Sequence, residues 1–120
     1  MNREAFSKWL KTIRKLDDGT CKARTANCLR IEKYYGDLDK VYEKDQCISL
    51  LTNLTYSTKD NANSIPPKHK IPIEGNQYTG THTLQSALKL FIEFKENKLL
   101  SEIKTMPDVD SQIKQGKIIT

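Results

Sequence analysis

Cysteine is scarce in this chain and cannot all be paired. Three cysteines occur, Cys21, Cys28 and Cys47, with no CxxC among them. An odd count at such spacings argues against a disulfide framework. The two histidines, His69 and His82, stand at no zinc-ligand spacing from them. Three reduced, metal-free thiols serving as small core residues are therefore expected. Long apolar runs are also missing. Nothing approaches the roughly 20 residues that cross a bilayer, so no membrane partner is expected. The opening MNREAFSKWL is charged and amphipathic and lacks the apolar stretch of a secretory signal, which points to a cytoplasmic protein. Catalytic signatures are absent as well: there is no Walker loop, GxSxG, HExxH or EF-hand. The close acid pairs Asp37/Asp39 and Asp108/Asp110 read as caps or solvated turns rather than metal sites. No cofactor, no metal and no enzymatic activity are expected.

What is present suits one globular domain. Charged residues make up 29% and hydrophobic ones 37% of 120 residues, enough for a real core. The formal net charge is +5, and its placement says more than its size. Residues 1–35 hold nine Lys/Arg against four Asp/Glu, whereas residues 36–60 hold three against five. A local positive field of that kind raises encounter rates with polyanions.

Apolar periodicity predicts an all-α fold, a compact bundle of four to five helices. Phe6, Trp9, Leu10, Ile13 and Leu16 share one helical face, with Lys8, Lys11 and Lys15 opposite, which predicts a first helix over Arg3–Leu16. A second is expected from Thr20 to the capping Gly36. At about 100° per residue, Ala23, Asn27, Cys28, Ile31, Tyr34 and Tyr35 gather on its inner side, with Lys22, Arg30 and Lys33 opposite. Arg24 falls on the inner side, where it must snorkel, pair or meet a partner. A short helical turn over Asp37–Tyr42 follows. Asp45 is placed to cap a third full helix carrying Ile48, Leu51 and Leu54. Pro66, Pro67 and Pro72 break the segment from Ser57 to Tyr78 into a long loop, with a short β-hairpin expected near Ile71–Tyr78. Thr81 or Thr79 is expected to cap the last helix, whose apolar face is Leu84, Ala87, Leu88, Phe91 and Phe94. Residues 1–97 thus form the helical domain and residues 98–120 a tail or linker.

The chemistry legible in this pattern is that of a phosphate binder. Phosphate contacts need Lys and Arg together with small hydrogen-bond donors. The second helix supplies Lys22, Arg24, Thr25, Asn27, Arg30 and Lys33, and the proline loop supplies Lys68, His69 and Lys70. His69 has a plainer reading as an exposed loop residue. The expectation is a non-catalytic module contacting duplex DNA through its basic second helix. Its competitor is a protein-interaction domain whose partner meets Tyr34, Tyr35 and Tyr42, since tyrosine suits interfaces.

Three stretches carry a resemblance: FSKWL, KARTANCLRIEKYYGDLD and YTGTHTLQSALKLFIEF. Together they resemble the helical, SAM-like core-binding domain of tyrosine recombinases, and also N-terminal modules of restriction-type nucleases. The resemblance spans about Ala5 to Phe94. It implies a domain that clamps duplex DNA through its helices, with Thr25, Asn27 and Arg30 as contacts. The Arg/His/Tyr catalytic set of a recombinase is absent, which leaves a binding module, standing alone or preceding a C-terminal catalytic domain in a larger recombinase or nuclease.

Overall fold

The computed structural model describes the backbone of residues 1–104 and the side chains of residues 1–97. The Asp108/Asp110 pair and most of the expected tail lie outside the described residues.

Helix α1 (Arg3–Thr12) starts where the Asn2 side chain accepts the Ala5 N–H at 3.1 Å, and it buries Phe6, Trp9 and Leu10. It stops one turn short of the expected Leu16. Lys15 adopts a left-handed backbone, φ 60°, and the Leu16 N–H returns to the Leu10 carbonyl at 3.1 Å. That turn folds Leu16 back onto the core, so the apolar period continues while the helix does not. Ile13, expected to face inward, is 58% exposed.

Helix α2 (Asp18–Tyr35) is capped by Asp17, whose carboxylate accepts the Thr20 N–H at 2.7 Å. Gly36 ends it at φ 89°, a conformation that favours glycine. Its buried stripe is Cys21, Thr25, Cys28 and Ile31. The expected inner face is thus rotated: Ala23 is exposed and Asn27 only half-buried. Helix α3 (Leu38–Asp45) is a fuller helix than the expected turn, and α4 (Ile48–Asn53) follows after Gln46 and Cys47, both left-handed. Cys47, not the expected Asp45, is the N-cap residue of α4 and makes no side-chain cap bond, while the Asp45 carboxylate accepts the Ser49 N–H at 3.0 Å from the end of α3. Helix α5 (Thr58–Ala62) lies inside the segment expected to be all loop. Ser57 and Asp60 form a reciprocal capping box that nucleates it. The described residues thus hold six helices, where four to five were expected.

Helix α6 (Gln77–Lys104) runs 28 residues, and its backbone continues past the boundary expected at residue 97. It begins a turn earlier than expected because Asn76, not Thr79 or Thr81, caps it, accepting the Thr79 N–H at 3.0 Å. Thr81 is fully buried. The expected hairpin at 71–78 is not formed: there is no strand among the described residues, and α6 takes up its last two residues, Gln77 and Tyr78.

Residues 63–76 instead form a strap that packs down onto α2 and α6. Ile71 enters the core at 3% exposure. Ile73 lies so close to α6 that a Cβ on Gly80 would stand 2.3 Å from its Cγ2. The centre of the molecule is an aromatic cluster of Phe6, Trp9, Phe91 and Phe94, with ring centroids 5.5–6.4 Å apart. Around it pack Leu10, Ile31, Leu38, Leu54 and Leu88. Removing a fully buried Phe such as Phe91 would cost about 3–5 kcal/mol.

Helix α2 packs against both α1 and α6. It runs antiparallel to α1, because the Met1 ammonium meets Glu32 at 2.9 Å and Asp37 at 2.7 Å, while Lys11 meets Asp18 at 2.9 Å at the other end. No described helix is long and apolar enough to cross a membrane.

Candidate nucleic-acid interface

The fold divides the nine sequence candidates into three groups. The first is interior or structural. Thr25 is buried on the α2 stripe, its hydroxyl without a hydrogen-bond partner, so it cannot touch a duplex. His69 is 8% exposed rather than a surface loop residue. The Ile71 N–H donates to its Nδ1 at 3.1 Å, which assigns the proton to Nε2, and Nε2–H donates to Thr81 Oγ1 at 2.8 Å. Burial and the Arg30 charge push this imidazole below its usual pKa, so it is neutral and unsuited to a phosphate. Thr25 is interior because α2 packs against both α1 and α6, and His69 is interior because the strap presses KHK against α6, burying the middle residue and leaving both lysines exposed.

The second group fastens the strap. The Arg30 guanidinium donates to the Pro72 carbonyl. The Lys70 N–H donates to the Tyr35 hydroxyl at 2.9 Å, and its ammonium lies 4.9 Å from the centre of the Tyr35 ring. These groups hold the loop to α2 and are only in part available to a ligand. Lys68 is exposed on the same strap.

The third group remains at the surface of α2. Lys22 and Lys33 share one flank, separated by about 16 Å along the axis. Asn27 is half-buried. Arg24 lies about 160° around the helix from Lys22, so the two belong to opposite flanks and not to one phosphate-facing stripe.

Packing gives both flanks company. On the Lys22 side, α1 and α2 enclose a groove of about 540 Å³ lined by Lys8, Lys11 and Lys22, with Glu4 and Asp18. The Asp18 carboxylate raises the Lys11 pKa and so favours its charged form. On the Arg24 side, α2 and α6 enclose a groove of about 410 Å³ lined by Arg14, Arg24 and Lys89, with Thr20, Ser86 and Glu93. The first turns of α2 thus form a ridge with cations on both sides.

Lys8 and Lys11 were legible as the outer face of the first helix. Arg14 and Lys89 were not, because each is a single cation whose neighbours come from other helices. Among the described residues, no three His, Cys, Asp or Glu side chains are placed to hold a metal ion. All three thiols are free and buried, and burial pushes those of Cys28 and Cys47 up to about 12. Compared with protein-family models, with curated proteins and with solved structures, the chain matches none.

Proposed function

We propose that this chain is a non-catalytic helical module that binds the phosphate backbone of duplex DNA across the ridge at the start of α2. One observation carries the reading. Lys8, Lys11 and Lys22 on one flank, and Arg14, Arg24 and Lys89 on the other, line the grooves on either side of the first turns of α2. The acids Glu32, Asp37 and Asp39 gather around the Met1 ammonium at the other end of α2. A molecule polarised in this way presents its cations to a polyanion and keeps its main carboxylate cluster away. Cations supported by rigid helices release counterions from DNA without sequence preference. The resemblance to core-binding domains supports the same partner, although of the contacts it implies Thr25 is interior and Arg30 is engaged with the strap.

The tyrosine-centred protein interface has less support. Tyr34, Tyr35 and Tyr42 are all half-buried. The Tyr35 hydroxyl is taken by Lys70, and the Tyr42 ring by Lys95 at 5.8 Å. The test is fluorescence anisotropy with a labelled random-sequence duplex at low and at physiological salt. Binding that weakens steeply with salt, towards about 10⁻⁶–10⁻⁴ M under physiological conditions, is expected. No binding at low salt overturns the proposal.

A further inference from the structure

We infer that the groove between α2 and α6 is a seat for one phosphate group, gated by Glu93. Arg24 and Lys89 hold the phosphate, and Arg14 joins them when it leaves Glu93. For its macromolecular ligand the inference rests on the duplex-binding reading. For the chemistry of the seat it stands on the groove alone.

Arg24 lines the groove from α2. Its side chain is half-buried, yet no carboxylate lies within ion-pair distance of it among the described residues. An arginine packed along a groove in this way either snorkels to water or meets an anion. The one acid lining this groove, Glu93, is directed to Arg14 instead, Nη1 to Oε2 at 3.3 Å. The groove therefore holds three cations and one carboxylate, an excess with no counterion of its own. The hydroxyls of Thr20 and Ser86 line the same space and add neutral donors.

The end of α2 is not what would hold the anion. The Asp17 carboxylate already accepts the Thr20 N–H, so side chains supply the positive charge. Three of them, from the α1–α2 turn, α2 and α6, surround the groove, which gives a tetrahedral anion contacts from several directions. Arginine suits this role because its planar fork binds phosphate through two parallel hydrogen bonds.

The gate follows from the weakness of the Arg14–Glu93 pair. Its distance is long for a charge-assisted hydrogen bond, and the two side chains are 46% and 38% exposed. Pairs of this kind contribute little in water. An arriving phosphate offers Arg14 more acceptor oxygens than one carboxylate does, while it repels Glu93. Glu93 therefore opposes the ligand twice, by occupying Arg14 and by its own charge.

The experiment uses the full chain and three variants, each checked for parental circular dichroism and melting temperature. Glu93→Gln should tighten binding of a random duplex at low salt by about fivefold, the factor expected of two like charges a few ångströms apart in water. Glu43→Gln makes the same change in net charge on α3, outside the groove, and should leave affinity within about twofold. Arg24→Gln should weaken binding and lower the steepness of the salt dependence by about one. If Glu93→Gln does no more than Glu43→Gln, or Arg24→Gln binds like the parent, the seat is overturned and the duplex-binding reading stands. If the parent binds no duplex, titration with inorganic phosphate decides. Amide NMR shifts at Thr20, Arg24 and Ser86 that vanish in Arg24→Gln support the seat with a free phosphate as ligand. Their absence in the parent overturns it.

Discussion

Gly80→Ala should destabilise the protein, although glycine-to-alanine changes in helices usually do the reverse. Gly80 is the fourth residue of α6, and alanine there gains about 0.5–1 kcal/mol of helix propensity. The added Cβ would lie 2.3 Å from Ile73 Cγ2, with Ile73 Cδ1 at 3.3 Å and Cβ at 3.5 Å. Cγ2 branches directly from Cβ, so clearing it takes either a less favoured χ1 rotamer of a packed β-branched side chain or a shift of the strap. Overpacking of this kind costs about 1–3 kcal/mol, so the clash outweighs the propensity and the net loss should be about 0.5–2 kcal/mol. The proof lies in a reversal of sign. In an Ile73→Ala background only the 3.5 Å neighbour remains, an ordinary contact. There the same Gly80→Ala change should stabilise by about 0.5–1 kcal/mol. Urea unfolding of the parent, both single variants and the double variant gives the coupling. Gly80→Ala that stabilises the parent would refute the close docking of the strap on α6.

Three further outcomes follow from the buried groups. His69 has a lowered pKa in the fold, so the unfolded chain binds the extra proton first. Its contribution is complete above the usual value near 6.5 and is lost as pH falls through the lower folded value. Melting temperatures between pH 7.5 and pH 5 should drop more for the parent than for His69→Gln, and equal drops would contradict the buried neutral imidazole. For the Met1 ammonium, burial lowers the pKa but hydrogen bonds to Asp37 and Glu32 prevail and raise it from 8.0 to about 10. Its stabilisation is full below pH 8 and lost as pH rises through 10, about 1 kcal/mol after screening at the exposed Asp37. Titrating the amine by NMR should return a value well above 8, and an ordinary value would remove the clasp. Finally, Cys21, Cys28 and Cys47 should react with a thiol reagent only on unfolding, because all three are buried, and at Cys28 and Cys47 burial also disfavours the thiolate. Rapid labelling of the native protein would show that the core assignment is wrong.

The parts of this fold that could be read in advance are those whose faces carry large side chains. Phe6, Trp9 and Leu10, and later Leu84, Leu88, Phe91 and Phe94, repeat at helical spacing and all reach the core. Helix α2 is different. Its buried stripe is built of Cys21, Thr25, Cys28 and Ile31, three of them small or polar, and the helix is flanked on two sides by α1 and α6. Apolarity alone therefore points to the wrong angle and sets Ala23 and Asn27 inward, where the fold leaves the first exposed and the second half-buried.

The proline loop hid two non-local facts. The burial of His69 depends on Thr81, twelve residues later, and Arg30 is engaged with Pro72. The helix that the Ser57–Asp60 capping box starts is five residues long and buries none of them, so no apolar period announces it in the sequence. Of the interface, Lys22 and Arg24 were legible as basic residues of the second helix, whereas their assignment to different grooves follows only from the packing of α1 and α6.

Under the duplex-binding proposal, cations on the α2 ridge contact duplex phosphates. The most direct test compares the parent with the Lys8→Ala/Lys22→Ala variant, both fully folded, by titrating one duplex across a series of salt concentrations. Both side chains are exposed, so their removal should change stability by less than about 0.5 kcal/mol each. If each neutralises one phosphate, the slope of log affinity against log salt becomes shallower by about two in the variant. Parallel lines of equal affinity would contradict the claim, because the lysines would then only solvate the helices.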